Sequence, residues 1–111
     1  MYLGKQHHIA VICSSWEKAK EFYVDKLGFR LFREVYRPEK DDYLRMLEQG
    51  DTVLEIFIMP NNPERLTAPE AKGLRHLAFH VEDIEPAVLT SGYATKLQSS
   101  RQYGTGTKTE I

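Results

Sequence analysis

The sequence predicts an α+β fold built from two related half-domains, and three features support that prediction. Residues 7–12 and 74–81 alternate in side-chain character as strands do, and each segment carries two histidines. A shift of 68 residues lays His8 on His76 and continues to match into the segments that follow. An apolar stripe with helical spacing comes after the first strand. A repeated order of strand, helix and further strands therefore organises the chain.

Composition limits the classes of function. The chain has 111 residues, 41% hydrophobic and 28% charged, which is typical of one soluble domain. Its formal net charge of −1, without a concentrated basic face, argues against nucleic acid or an anionic membrane as a partner. We expect no transmembrane helix and no signal peptide, and hence a cytoplasmic location. Cys13 is the single cysteine and is interpreted as a small packing residue.

The first helix is expected to begin at Ser14, because a serine followed three residues later by Glu17 forms the capping-box pattern. Its apolar stripe is predicted to face a sheet. The stripe consists of Trp16, Ala19, Phe22, Tyr23 and Leu27. Gly28 stands where a left-handed residue commonly ends a helix.

Three further strands are predicted for the first half-domain, over residues 29–37, 43–47 and 52–58, with a tight reversal before the last. Arg33 and Arg37 share one side of the first of these strands. They either meet an anionic ligand or, more simply, cover an exposed strand face.

Glu55 is anomalous because it interrupts an apolar strand. A buried carboxylate is unfavourable unless it is paired or bound to a cation, and the alternative is a sheet edge that faces water. The half-domains are predicted to span residues 1–60 and 73–111, joined by a proline-containing surface linker at 61–72.

The second half-domain is predicted to continue with a helix that begins at Asp83, with Pro86 in its first turn, and that ends before Ser91. Short strands are placed near 93–98 and 105–111.

His8, His76 and Glu55 form the candidate metal site. The two histidines occupy equivalent positions of the repeat, and two imidazoles with one carboxylate suit borderline-hard divalent ions while leaving positions open for substrate. His7 and His80 compete as ligands. His7 is predicted to point to the opposite face from His8, and His80 is interpreted as facing the substrate or supporting a ligand.

Five motifs in this order resemble the vicinal oxygen chelate superfamily, which includes glyoxalase I, bleomycin- and fosfomycin-resistance proteins and extradiol dioxygenases. The motifs are His8-Ile9-Ala10, Phe22-Tyr23, Leu27-Gly28-Phe29, Val53-Leu54-Glu55-Ile56, and Gly73 to Phe79. The resemblance covers about residues 5–88 and is similar to small bacterial glyoxalase-I-like members. It implies two βαβββ units that form a U-shaped mixed sheet around a cleft.

The resemblance also implies a divalent ion in that cleft, which is Zn, Ni, Mn, Fe or Mg, with His8, Glu55 and His76 matching the first three ligand positions. A fourth ligand, a glutamate, would fall at 123 by the shift of 68. Glu110 arrives thirteen residues earlier, so the second unit is expected to be abbreviated or incomplete. Ile12 and Met59 occupy the positions where glyoxalase I has its glutathione-contacting arginine and asparagine, which argues against glutathione.

The function that the resemblance implies is a metal-dependent lyase or isomerase of glyoxalase I type, similar to lactoylglutathione lyase, acting on a small vicinal-oxygen substrate. Glu110, or otherwise Glu55, would move the proton as the catalytic base. A binding or resistance protein without catalysis is the first alternative. An iron-dependent extradiol-type dioxygenase, with His80 as its acid–base group, is the second. A homodimer is implied in each case.

Overall fold

The computed structural model describes residues 1–83, 98–99 and 109–110. The chain forms two compact units, Met1–Pro63 and Glu64–Ile111. In the first unit, β1 (Ile9–Cys13) precedes α1 (Trp16–Ala19), which continues as a π-helical segment (Lys20–Lys26). The strands β2 (Arg30–Arg37), β3 (Asp42–Gln49) and β4 (Thr52–Ile58) follow. The predicted α+β class is confirmed, and this unit has the βαβββ order.

The four strands form one mixed sheet in the order β1-β4-β3-β2. The helical crossover carries the chain from β1 to β2 at the opposite edge. The antiparallel strands β3 and β4 then bring it back, and β4 pairs with β1 in parallel. Three side chains on one face of this sheet have no exposure, namely Leu47, Leu54 and Ile56. Burial of each contributes about 1.5–3 kcal/mol. The first helical turn covers this face, since the Arg45 guanidinium lies 4.5 Å from the centre of the Trp16 ring.

The helix begins one residue later than the sequence predicts. Ser15 is its N-cap, with φ −151° and ψ 137°, and its hydroxyl accepts a hydrogen bond from the Lys18 backbone N–H at 3.2 Å. The predicted capping box of Ser14 with Glu17 is therefore wrong, because the residue with extended backbone geometry is the one that can turn its side chain back to the helix. Because Ser14 and Ser15 are adjacent, the sequence pattern is compatible with an N-cap at either residue.

The helix widens before it ends. The Leu27 N–H donates to the Phe22 carbonyl at 3.0 Å, a spacing of five residues, as in a π-helix. Gly28 then adopts φ +82°, which confirms the predicted left-handed stop. The Gln49 side-chain amide donates to the Leu27 carbonyl at 3.0 Å and so ties the end of the helix to β3. The π-helical geometry was not predicted, because two turns of apolar spacing are compatible with either helix.

The remaining strands of the first unit follow the predictions closely. Strand β3 is longer than the predicted 43–47, since it pairs along its length with β2 and β4. Gly50 has φ +56° in the tight turn before β4. The ladder between β2 and β3 shifts register between Leu31 and Arg33, which marks a bulge.

The described residues of the second unit include three short antiparallel strands in the order β5-β7-β6, where β5 is His80–Val81, β6 is Gln98–Ser99 and β7 is Thr109–Glu110. The strand predicted over 74–81 is wrong for its first six residues. Within the described residues, only His80 and Val81 of that segment find a ladder partner. Alternation alone does not make a strand, because the backbone groups also need a neighbour to pair with.

The proline-containing segment 61–72, which the sequence predicts to run over the surface, is exposed. The predicted helix with Pro86 lies outside the described residues, and so does most of the chain assigned to the strands near 93–98 and 105–111. No helix in the described part of the chain has the length and apolar character needed to cross a membrane.

Candidate functional site

His8 and Glu55 meet on the face of the four-stranded sheet opposite the buried leucines. Ala10 pairs with Glu55 in the parallel ladder, and side chains two residues apart share a face, so His8 and Glu55 lie on the same side. His8 stands immediately before β1. Its Nε2 lies 3.4 Å from Oε2 of Glu55, and the two side chains are 38% and 18% exposed. The predicted meeting of these two residues is observed.

This geometry explains how a carboxylate is tolerated inside an apolar strand. The neighbours of Glu55 along β4, Leu54 and Ile56, are fully buried on the helix side of the sheet. Because strand side chains alternate, Glu55 projects to the other side, where it keeps partial contact with solvent. Of the two explanations predicted for this residue, a partner and a water-facing edge, the structure provides the partner.

The pair fits a divalent metal ion. Zinc binds imidazole nitrogen and carboxylate oxygen at about 2.0–2.2 Å. His8 Nε2 and Glu55 Oε2, 3.4 Å apart, are atoms of these two ligand types and would be the groups of this unit that hold such an ion. Taking the described residues of each unit by itself, no group of three histidine, cysteine, aspartate or glutamate side chains converges on one point. The first unit thus provides two ligands of suitable chemistry.

Arg37 and Asp42 form a second charged pair on this face. The Arg37 Nε donates to Asp42 Oδ1 at 2.6 Å, and a second guanidinium nitrogen donates to the other carboxylate oxygen. These hydrogen bonds hold the pKa of Asp42 below its usual value and raise the pKa of Arg37. The guanidinium also lies 4.9 Å from the centre of the Phe57 ring. The Arg37 guanidinium is therefore already engaged by Asp42 and the Phe57 ring within the protein.

Arg33 differs from the other arginines of this sheet. Met46 of β3 pairs with Arg33 of β2 on one side and with Glu55 of β4 on the other. Arg33 and Glu55 therefore project to the same face, and two strand spacings separate their backbones by about 9.5 Å. Arg30, Arg37 and Arg45 form ion pairs with Glu48, Asp42 and Glu34. Within the residues that the structure describes, Arg33 has no such acidic partner and is exposed. Among the described arginines of the face that carries Glu55, Arg33 is the one without an acidic partner.

The other predicted site residues belong to the second unit. His76 is exposed and precedes β5 rather than lying within a strand, so its predicted strand position is wrong. Glu110 is described as a backbone position in β7, opposite His80. Of the four predicted ligands, the first unit therefore brings together His8 and Glu55, while His76 and Glu110 belong to the second unit.

The position of His7 differs from the one predicted. It was predicted to point to the opposite face from His8, yet its Nδ1 lies 2.8 Å from Nδ1 of His8. His7 stands two residues before the first residue of β1, so the alternation that relates His8 to Ala10 does not fix the direction of the His7 side chain. Two consecutive histidines just before a strand were the available signal. Cys13 is half-buried and burial raises the pKa of its thiol, as expected for a packing residue rather than a nucleophile.

Comparison with known proteins agrees with this architecture. A sequence model of the Glyoxalase/Bleomycin resistance protein/Dioxygenase superfamily matches residues 5–90. The crystal structure of the glyoxalase family protein from Enterococcus faecalis superimposes with a TM-score of 0.79 at 42% identity, covering 97% of this chain and 87% of that one.

Two curated relatives differ in how similar they are to this chain. The uncharacterized protein YwkD of Bacillus subtilis is 53% identical over 89 residues, which are 79% of this chain and 70% of YwkD. The mitochondrial methylmalonyl-CoA epimerase of Mus musculus is 30% identical over 91 residues, which are 78% of this chain. The match spans 51% of the epimerase, about half its length.

Proposed function

The chain belongs to the Glyoxalase/Bleomycin resistance protein/Dioxygenase superfamily, and from that membership we propose that it is a divalent-metal-dependent isomerase or lyase. Its substrate would be a small molecule with oxygens on adjacent carbons. The observation that carries the proposal is the 3.4 Å approach of His8 Nε2 to Glu55 Oε2 on an accessible sheet face. The distant epimerase relative supports an isomerase, since it shares 30% identity with this chain.

The proposed roles follow from the chemistry of each side chain. His8 and Glu55 would hold the ion from the first unit, with His76 and Glu110 as the proposed ligands from the second. When bound, the ion supplies Lewis acidity that favours loss of a proton next to a carbonyl group. Glu110 is the proposed base, with Glu55 as the alternative, because a carboxylate can accept that proton. A homodimer in the cytoplasm is part of the same proposal.

The substrate class that we propose carries an anionic group at a distance from its vicinal oxygens. Arg33 supports this, because an exposed guanidinium without an acidic neighbour is suited to accept a carboxylate in bidentate fashion. Its position two strands from Glu55 leaves room for a molecule that contacts both. The half-buried Met46 lies between them and would pack against the carbon chain.

Malate and lactate provide a direct test of Arg33. Both present a 2-hydroxycarboxylate, but only malate has a second carboxylate. We expect the zinc-loaded protein to bind malate about tenfold or more tighter than lactate, because a hydrogen bond to a charged group contributes about 1.5–3 kcal/mol. The Arg33→Gln variant should lose this preference in calorimetric titrations.

Arg30→Gln is the matched control, because the Arg30 side chain is already paired with Glu48, and this variant should retain the preference for malate. Equal binding of both acids, or a preference that survives Arg33→Gln, would contradict the role of Arg33.

Isotope exchange tests the proposed reaction. Protein purified without chelator should contain a divalent metal by elemental analysis. With each candidate ion restored, it should convert methylglyoxal with or without glutathione. If its substrate instead resembles that of the epimerase relative, with the two carbonyl groups one carbon further apart, it should exchange the acidic C–H of methylmalonyl-CoA in deuterated water, followed by NMR. Metal removal should abolish turnover. A protein that neither binds metal nor catalyses exchange in any of these assays would overturn the proposal.

The non-catalytic alternative is favoured by two residues. Ile12 and Met59 stand where glyoxalase I has its glutathione-contacting arginine and asparagine, and Ile12 is exposed on the same side of β1 as His8. Tight binding of a ligand that is never consumed would support a sequestering protein. Oxygen uptake with catechols after reconstitution with iron(II) would instead support the dioxygenase alternative.

A further inference from the structure

The contact between His7 and His8 lies next to the proposed metal site, and none of the roles assigned above uses it. The two Nδ1 atoms are 2.8 Å apart, with ring centres 5.0 Å apart and ring planes at 81°. The other ring nitrogen of His8, Nε2, faces Glu55 at 3.4 Å. Each nitrogen of His8 therefore has its own partner, and in the described part of the chain His7 is the partner of Nδ1.

A nitrogen-to-nitrogen distance of 2.8 Å requires a hydrogen bond. Two lone pairs would repel at this distance, so one Nδ1 carries a hydrogen and the other accepts it. A neutral imidazole has one N–H and one lone pair. When Nε2 of His8 gives its lone pair to a cation, its hydrogen must be on Nδ1. The donor is then His8 and the acceptor is His7.

We propose that His7 is a positioning residue that fixes the ring orientation and tautomer of His8 for metal binding. This inference rests on the proposed function, because it assumes that His8 Nε2 is a ligand. Histidine ligands almost always donate their second ring N–H to a carboxylate, a carbonyl or water, and these outer partners tune affinity. Here the neighbouring imidazole takes that place, and His7 carries its own hydrogen on Nε2.

Two substitutions of similar shape separate the hydrogen bond from the packing. His7→Asn retains an oxygen or nitrogen on the atom next to Cβ, close to where Nδ1 stands, whereas His7→Leu places methyl groups there. We expect His7→Leu to lower zinc affinity about 10- to 100-fold in competition titrations with a chromophoric chelator. His7→Asn should retain most of the parent affinity. His7 is exposed and precedes β1, so both variants should have the parent circular dichroism spectrum.

Nitrogen NMR of the zinc-loaded protein gives a reading that does not depend on affinity or activity. The ¹⁵N shifts of His7 should identify the Nε2–H tautomer, and a coupling across the hydrogen bond should join the two Nδ1 nuclei. In His7→Leu, the Nδ1–H of His8 should exchange faster with water. A His7 protonated at Nδ1, or equal zinc affinity in His7→Leu and the parent, would overturn the inference.

Zinc binding by the parent protein tests the proposed function, and zinc binding by the His7 variants tests the positioning role. If the parent protein binds zinc and only the His7 variants behave contrary to expectation, then the positioning role is wrong and the metal site stands. If the parent protein itself binds no divalent ion, the proposed metal site and the positioning role of His7 are both wrong. Equal losses in His7→Asn and His7→Leu would mean that the imidazole acts through its shape, which also contradicts the proposed hydrogen bond.

Discussion

Substituting Glu55 by alanine is expected to lower the affinity for zinc by more than about 100-fold. Loss of an outer partner of a ligand already reduces metal affinity about 10- to 100-fold, and Glu55 would be a direct ligand. Its carboxylate lies 3.4 Å from His8 and is one of the two proposed ligands that the first unit brings together. The measurement is a competition titration of the purified variant against a chelator of known affinity.

Glu48→Ala is the matched control for this substitution. Glu48 opposes Val53 in the neighbouring strand, so it shares the face of Glu55, but it is paired with Arg30. It should bind zinc as the parent does. Because the Glu55 side chain is outside the buried core, Glu55→Ala should also keep the parent melting temperature. Undiminished zinc affinity in Glu55→Ala would mean that the carboxylate is only an ion-pair partner of His8.

The same titration addresses the proposed ligand from the second unit. His76→Ala should lose zinc affinity to a similar degree if the imidazole completes the site. His80→Ala serves as its control, since His80 lies four residues away in β5 and is also exposed. A His76→Ala variant that retains its metal would show the ligand assignment for His76 to be wrong, whereas a loss confined to His80→Ala would exchange the two roles.

The first unit could be predicted because its signals are local and redundant. Gly28 marks the end of the helix, Gly50 marks the turn before β4, and apolar spacing marks the segments between them. The boundaries that the glycines mark agree with the elements that the apolar spacing predicts between them. The start of the helix was less certain, because Ser14 and Ser15 both satisfy the composition of a cap and only the backbone geometry selects Ser15.

The second unit shows what local pattern leaves undecided. Residues 74–79 alternate as a strand would, yet pairing begins only at His80, where β7 runs alongside. Leu77, which belongs to the apolar half of that pattern, is 40% exposed, so its position lacks the burial that makes alternation informative. Strand pairing depends on residues distant in sequence, and the alternation within one segment carries no information about its partner.

For the candidate site, the sequence pattern could identify the residues but not their approach in space. The repeat singled out His8, and the anomaly of a carboxylate in an apolar strand singled out Glu55. Their approach depends on the parallel pairing of β1 with β4 around a helical crossover, which only the family resemblance implied. The contact of His7 with His8 depends on where β1 begins, and a boundary shift of two residues was enough to hide it.

Leu54→Ala is expected to destabilise the protein by about 2–5 kcal/mol, because its side chain is fully buried opposite Leu47 and its truncation leaves a cavity. The melting temperature should fall by roughly 8–20 °C in a calorimetric scan. Leu31→Ala is the matched control, since Leu31 opposes Leu47 from β2 but is 36% exposed, and it should lower the melting temperature much less. Because Leu54 adjoins Glu55, the comparison also separates the two faces of β4: one substitution should cost stability and the other metal affinity. Equal melting temperatures for Leu54→Ala and Leu31→Ala would mean that the buried face does not stabilise the sheet that holds the site.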